Sequence, residues 1–150
     1  MPELPEVEII RRGLVPAMEG ASFDAVTLNR PDLRFPFETD FAKRLLSERV
    51  SRLTRRAKYI VVETESGLGL AMHLGMTGRF TIQHNAVGHA ETPGAFYYDY
   101  DANPRHDHVV FGMSNGDVIR YNDVRRFGSM SLFEAKGMAE HPLFKALGVE

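Results

Sequence analysis

The first eight residues place a possible nucleophile beside several carboxylates. If the initiator methionine is removed, Pro2 carries a free secondary amine, and an α-amino group titrates near pH ~8, well below a lysine. Such an amine condenses with the aldehyde carbon of a sugar to give an iminium, which is amine covalent catalysis. Glu3, Glu6 and Glu8 follow within about one helical turn and are candidate proton donors. The segment also suits an ordinary helix start, with Pro5 in the first turn and acids at the positive end of the helix dipole.

Residues 5–18 are predicted to form the helix that positions these groups. Apolar residues recur on one face at helical spacing, and Pro16 should kink or end the helix. The residues of that face are Val7, Ile10, Leu14 and Ala17. We expect this face to pack against a sheet, so that Glu3 and the Pro2 amine lie at the edge of that sheet.

The rest of the chain predicts one short helix and a series of strands. A helix is expected over 39–48, with Thr39 or Asp40 as its cap and with Phe41, Leu45 and Leu46 facing inward. Short segments rich in Val, Ile, Tyr and Phe follow, and residues 114–117 are a hairpin signal. Strands are predicted at 22–28, 50–53, 59–64, 68–74, 79–83, 108–113, 118–121 and 130–133. The fold class is therefore α+β, mostly β: an antiparallel β-sandwich of seven or eight strands flanked by two helices. Residues 84–105 are predicted as a long loop and 139–147 as a short closing helix.

Composition indicates a single soluble domain. The 150 residues are 43% hydrophobic and 25% charged, and they include no cysteine, which excludes disulfides and thiolate metal sites within the chain. An apolar run of about 18 residues does not occur, and no signal peptide is apparent, which favours the cytoplasm. Net charge is −2, but positions 43–58 contain seven basic residues against one acid, Glu48. Such a run is either a solvated face or a surface that follows phosphates.

Several motifs resemble those of the formamidopyrimidine-DNA glycosylases, bifunctional repair enzymes that remove oxidised purines. The matching segments are MPELPEVE at 1–8, RRAKY at 55–59, HLGMTG at 73–78, HDHV at 106–109 and YNDVRRFG at 121–128. Thr77 stands where the family usually has serine, and Val124 where it usually has proline. The resemblance implies that residues 1–150 are the N-terminal catalytic domain. The helix–two-turn–helix and zinc-finger domains of the family are not in this chain, so no cofactor is expected here and zinc would belong to the missing finger.

The resemblance also implies a role for each matching residue at the reaction centre. Pro2 would be the nucleophile, and Glu3 would protonate the sugar oxygen and open the ring. Lys58 would contact the phosphate beside the lesion and assist proton transfer. Glu6 is a further catalytic candidate among the neighbouring carboxylates.

A second group of residues is implied to contact DNA. Met76 lies between two glycines, a poor place to bury it, and would fill the gap left by a flipped nucleotide. Arg125 would pair with the orphaned cytosine, and Phe127 would kink the duplex there. His73 would contact a backbone phosphate. The remaining candidates are His106, a DNA contact in the family, and Arg126, for which an ordinary surface role is also credible. A metal at 106–108 is disfavoured, because neighbours on a strand point to opposite faces.

The function implied is excision of 8-oxoguanine and ring-opened purines from duplex DNA, followed by β,δ-elimination through a Schiff base at Pro2. One alternative is an endonuclease VIII-like enzyme acting on oxidised pyrimidines, although Leu4 favours the purine enzyme. The others are a non-catalytic binding module for damaged DNA and a plain structural sandwich. The expected partner is damaged double-stranded DNA, bound by a monomer in the bacterial cytoplasm near the nucleoid. Residues 1–150 alone are expected to have little or no enzymatic activity. Their affinity for DNA is expected to be weak and strongly dependent on salt.

Overall fold

Two antiparallel sheets and one long helix account for most of the described chain. The computed structural model describes residues 3–86, 90–93 and 104–134. Its elements are α1 (Leu4–Met18), β1 (Phe23–Leu28), α2 (Phe41–Leu45), β2 (Val50–Arg56), β3 (Tyr59–Thr64), β4 (Leu68–His73), β5 (Gly78–Gln83), β6 (Ala90–Glu91), β7 (Asp107–Met113), β8 (Val118–Asp123) and β9 (Ser129–Glu134). The predicted closing helix at 139–147 lies outside the described residues.

The strands form a sandwich with its apolar core between the two sheets. One sheet has the order β1-β7-β8-β5-β6 and the other β2-β3-β4-β9, and every pairing is antiparallel. Eight strands are six or seven residues long, which confirms the predicted mostly-β sandwich. The two-residue strand β6 pairs with the end of β5, within the segment predicted as a long loop. No helix among the described residues is long and apolar enough to cross a bilayer.

Helix α1 packs its predicted face into the core. Val7, Ile10, Leu14 and Ala17 are all buried, as the spacing predicted, together with Met18. The helix ends at residue 18, as predicted, and runs through Pro16, so the alternative that the proline ends the helix is wrong. Because Pro16 lies in the last turn, its missing N–H removes only one backbone hydrogen bond. That bond would lie on the exposed side of the helix, where water can replace it.

Helix α2 is shorter than predicted. It spans five residues instead of the expected ten, and its N-cap Asp40 has a left-handed backbone with no capping bond from its side chain. Phe41 and Leu45 are buried as predicted, whereas Leu46 is 46% exposed, so its predicted inward orientation is wrong. With only one turn and a half, the helix has room for a single buried pair.

Arg11 of helix α1 and Glu19, the C-cap of that helix, clamp the edge strand β2 at Leu53. Arg11 Nη1 donates to the Leu53 carbonyl at 3.1 Å, and Glu19 Oε2 accepts the Leu53 N–H at 2.8 Å. These side chains satisfy backbone groups that an edge strand otherwise leaves open to other chains. The clamp also fixes the start of α1, and therefore Glu3, relative to the sheet.

The Glu8 carboxylate is the acidic centre of this clamp and should contribute to stability. It lies 2.6 Å from Arg11 and 2.9 Å from Arg12. Hydrogen bonding from Arg11 is the largest cause that lowers the pKa of Glu8 from 4.5 to about 2. Glu8→Gln should reduce the free energy of unfolding at pH 7 by about 1 kcal/mol, after discounting for solvent screening.

The pH dependence of this effect has a definite sign. A depressed carboxyl pKa stabilises the fold above pH 4.5, and the contribution is lost as pH falls towards 2. Urea unfolding should therefore show the wild-type and Glu8→Gln curves converging as the solution is acidified. Glu65→Gln is the control, because its ion pair with Arg49 is about 60% exposed on both sides, and its effect should stay within about 0.5 kcal/mol. A constant difference down to pH 2 would contradict the assignment.

Candidate functional site

One end of the sandwich carries an open cavity of about 530 Å³. It lies between the segment after β1, the turn between β4 and β5, and the loop between β8 and β9. Five of its lining residues are site candidates that were selected from the sequence, and three are not. The lining residues are His73, Met76, Arg125, Arg126 and Phe127, together with Leu33, Arg34 and Gly75.

The rim of this cavity is unusually apolar for a surface. Met76 is 48% exposed and Phe127 is 47% exposed, although both are large hydrophobic residues. Val124 and Phe35, in two of the same segments, are 55% and 59% exposed. Clustered exposed apolar side chains mark an interaction site more often than a defect. Side chains of this kind can wedge between stacked bases.

His73 presents a single, defined proton donor near the cavity. Its Nδ1 accepts the backbone N–H of Gly75 at 3.0 Å, so the neutral ring must carry its proton on Nε2. Burial lowers the pKa of His73, and the charges of Lys58 and Arg34 lower it further. The ring also packs edge-on against Tyr59 at 4.9 Å. A neutral imidazole with Nε2–H is suited to donate to a phosphate oxygen.

Glu3 and Lys58 form a charged pair at the start of α1. Glu3 is the N-cap of the helix, yet its side chain makes no capping bond and is 73% exposed. Its Oε2 lies 4.0 Å from Lys58 Nζ, which is held in the tight turn between β2 and β3. Ala57, the other residue of that turn, has a left-handed backbone (φ 51°). The half-buried Glu6 lies in the first turn of α1, and Pro2 lies outside the described residues.

The charged pair and the cavity belong to one continuous surface. Tyr59, the neighbour of Lys58, packs against the His73 ring at 4.9 Å, and His73 itself lines the cavity. The line from Glu3 through Lys58 to His73 therefore leads from the start of α1 to the exposed Met76. The predicted proton donors and the predicted apolar wedges lie at the same end of the sandwich.

His106 is not part of this arrangement. It ends a short 3-10 turn before β7, and its ring lies 6.1 Å from that of His108. His108 is buried, and its Nε2 donates to the backbone carbonyl of Asp123 at 2.7 Å. Asp107, which lies between the two histidines, accepts a hydrogen bond from the side-chain amide of Asn122. No group of three or more metal-ligating side chains is found among the described residues, and a DNA contact by His106 stays a prediction.

Arg34 is a site residue that the sequence motifs did not reveal. It lines the cavity, and its guanidinium lies 5.4 Å from the centre of the Phe35 ring. Its backbone N–H donates to the Gly128 carbonyl at 3.0 Å. No carboxylate in the described part of the chain lies within ion-pair distance of it. The available signal was an arginine beside an aromatic residue in a turn-rich segment, which is weak without the fold.

The basic run at 43–58 is partly neutralised by acids distant in sequence. Four of its members lie within 4.0 Å of a carboxylate. The pairs are Arg49 with Glu65, Arg52 with Glu63, Arg55 with Glu8, and Lys58 with Glu3. The strong local charge counted along the sequence is therefore not a free cationic stripe.

Comparisons with known proteins point to one family. A family model described as the formamidopyrimidine-DNA glycosylase N-terminal domain matches residues 1–130. Proteins named formamidopyrimidine-DNA glycosylase from Rhodopseudomonas palustris and Methylobacterium nodulans are 51% and 52% identical to this chain, over all of it and 50% of their own length. This chain thus spans about half the length of the curated relatives that it matches.

Solved structures give the same result for the fold. The complex of Lactococcus lactis Fpg with DNA containing an abasic site has a TM-score of 0.74 and 26% identity, over 96% of this chain and 48% of that one. The complex of the same Lactococcus lactis protein with DNA containing N7-benzyl-Fapy-dG has a TM-score of 0.74 and 27% identity, with the same coverage.

Proposed function

Because this chain belongs to the formamidopyrimidine-DNA glycosylase family, we propose that it is the catalytic half of an enzyme that excises oxidised purines from duplex DNA. The substrates are 8-oxoguanine and formamidopyrimidines, and the abasic product is cleaved by β,δ-elimination. The observation that carries the proposal is the shared surface described above. It holds the Glu3–Lys58 pair at one end and the exposed Met76 and Phe127 at the other.

The chemistry begins with the Pro2 amine, once Met1 has been removed. The proline nitrogen attacks C1′ of the flipped nucleotide, and the bond from C1′ to the damaged base breaks with its electron pair leaving on the base, which takes up the proton that the proline nitrogen loses. Glu3 then gives a proton to the ring oxygen O4′ as the C1′–O4′ bond breaks, and the nitrogen lone pair forms the iminium. Loss of a C2′ proton expels the 3′ phosphate, and loss of the C4′ proton then expels the 5′ phosphate in a second elimination.

The remaining residues hold and open the duplex. Lys58 and the Nε2–H of His73 are suited to bind phosphate oxygens beside the lesion. Met76 and Phe127 occupy the space that the flipped base leaves. Arg125 hydrogen-bonds the base left unpaired on the opposite strand. We propose that the enzyme works as a monomer in the cytoplasm.

Borohydride trapping tests this function directly. The protein, expressed from its complete reading frame, should form a covalent adduct with an 8-oxoguanine duplex when the iminium is reduced. Peptide mapping should place the adduct on residue 2, and Pro2→Gly should lower its yield. If no adduct forms, or if the Pro2→Gly yield is undiminished, the proposal is wrong.

The same assay separates the alternatives. A duplex containing an oxidised pyrimidine, trapped in parallel, measures the preference expected of an endonuclease VIII-like enzyme. Binding to lesion DNA without any adduct would indicate a non-catalytic damage-binding module. A gel shift with no lesion preference would leave only a structural sandwich.

Arg34 offers a separate test of the DNA surface. Arg34→Gln should reduce the slope of log K against log[salt] for lesion-duplex binding by about 0.9, because one phosphate contact is lost. Arg52→Gln removes the same charge, but Arg52 is paired with Glu63 at 2.7 Å, so its slope should change less. Equal slopes for the two variants would show that Arg34 meets no phosphate.

A further inference from the structure

Asp123 is a fully buried carboxylate to which four donors converge. It is 0% exposed and lies at the end of β8, just before the loop that carries Arg125 and Phe127. Its Oδ1 accepts the Thr77 hydroxyl at 2.6 Å and the Arg126 N–H at 3.0 Å. Its Oδ2 accepts the Tyr121 hydroxyl at 2.9 Å and the Gly128 N–H at 3.0 Å. The proposed chemistry makes no use of this group.

Three of these four donors come from the segments that carry the exposed wedges, and the fourth, the Tyr121 hydroxyl, comes from β8 itself. Thr77 directly follows Met76 in the turn between β4 and β5. The N–H groups of residues 126 and 128 flank Phe127 in the loop between β8 and β9. The Thr77 hydroxyl oxygen also accepts the Arg125 N–H at 3.2 Å, so the two segments are joined a second time.

The backbone at this junction is strained and tightly packed. Arg126 has a left-handed backbone (φ 58°), which a residue with a side chain adopts only when its surroundings enforce it. An added Cβ at Gly75 would lie 2.6 Å from the Phe127 carbonyl carbon, which shows how closely the turn and the loop approach. At the bulge in β7, His108 turns towards β8 and binds the Asp123 carbonyl, fixing the main chain as well.

We propose that Asp123 is a positioning residue that locks the Met76 turn and the Arg125–Phe127 loop into one rigid unit, so that both enter the duplex in a fixed relation. This inference rests on the proposed glycosylase function. Asp123 acts through the residues that it holds and does not touch the DNA itself.

A carboxylate is the side chain suited to this junction. Ionised Asp offers acceptor sites on both oxygens and no donor, whereas Asn presents an NH₂ group that would face N–H and O–H donors. Tyr121 stays protonated and remains a donor, because burial raises its pKa well above the usual value. Asp123→Asn therefore sets an NH₂ group against two of the four donors, one of them an N–H of the loop that carries Phe127, while keeping the size of the side chain.

The test compares Asp123→Asn with Asp117→Asn in the protein expressed from its complete reading frame. Asp117 is a buried aspartate on the same β7–β8 hairpin, at its other end, where it binds Asn85 and His84. Asp123→Asn should lower single-turnover excision from an 8-oxoguanine duplex by about 10–100-fold. It should also reduce the fluorescence rise of 2-aminopurine placed beside the lesion. The ratio of the excision rate with cytosine opposite the lesion to the rate with another base there should fall as well. Asp117→Asn should change none of these.

Trapping on a single-stranded abasic oligonucleotide separates positioning from a general loss of structure. Such a strand presents its sugar without a stack to open, so Asp123→Asn should trap it as well as the wild type does. If Asp123→Asn lowers trapping on the single strand as much as it lowers excision from the duplex, the proposal is overturned. Unchanged duplex excision and unchanged fluorescence would overturn it too. If the wild type itself neither traps nor excises, the proposed function has failed, and the inference that rests on it falls too.

Thr77 supplies a variant that disturbs the junction less. Thr77→Val keeps the shape of the side chain but removes the hydroxyl, and duplex excision should fall by about tenfold. Thr77→Ser should rescue most of that loss, because it restores the hydroxyl that joins Asp123 to Arg125. A valine variant that retains the full wild-type duplex activity would contradict the proposed locking.

Discussion

Replacement of Glu3 by glutamine is expected to lower the single-turnover rate of base excision by about 10²–10⁴-fold. Glutamine keeps the shape of the side chain but has no acidic proton to give to the sugar oxygen. The fold should be unaffected, because Glu3 is 73% exposed and makes no capping bond to α1. Affinity for lesion DNA should hold or rise slightly, since a negative charge beside Lys58 is removed.

Rapid-quench excision and equilibrium binding of an 8-oxoguanine duplex measure the two quantities separately. Glu65→Gln is the matched control, because it removes an exposed carboxylate whose partner Arg49 lies away from the cavity-lining residues. Glu6→Gln, tested beside it, decides whether the half-buried carboxylate one turn further along α1 shares the proton transfer. An excision rate for Glu3→Gln equal to the wild type would remove Glu3 from the mechanism.

Local periodicity was enough to predict the framework of the fold. The buried face of α1 follows from apolar spacing of three and four residues, and the strands follow from short β-rich segments between turns. The hairpin at 114–117 forms where predicted, with Gly116 in a left-handed conformation (φ 91°). Met76 was predicted to be exposed because glycines on both sides prevent its burial in a regular element. All of these signals lie within a few residues of the feature that they predict.

The features that the sequence left hidden depend on contacts between distant segments. Arg34 joins the cavity only because its segment bonds to Gly128, more than ninety residues further along the chain. The basic run loses its apparent strength because Glu8 and Glu63 pair with it from α1 and β3. Asp123 belongs to the YNDVRRFG motif, yet its role requires Thr77 to lie beside it. The distance between the two residues along the sequence does not reveal that contact. The resemblance identified the motifs, whereas the fold shows how two of them are held together.

Substitution of Gly128 by alanine should be the most damaging single change near the cavity. A Cβ at this position would lie 1.9 Å from the Tyr121 hydroxyl, 2.6 Å from the His73 carbonyl oxygen and 3.0 Å from Asp123 Oδ2. The loop must move, and the N–H of residue 128 then loses its carboxylate acceptor. We expect the free energy of unfolding to fall by about 3 kcal/mol. Lesion-duplex affinity should fall by at least about tenfold, since Phe127 moves with the loop.

The matched control is Gly112→Ala in β7. Its added Cβ would meet only Ala25, at 3.4 Å, an ordinary contact within the same sheet. Urea unfolding should therefore separate the two glycine variants by more than about 2 kcal/mol, although each adds one methyl group. Tyr121→Phe/Gly128→Ala removes the oxygen that the new methyl group strikes and should recover part of the stability. Such recovery would locate the strain at the Asp123 junction; if the double variant is no more stable than Gly128→Ala alone, the clash with Tyr121 is not the cause.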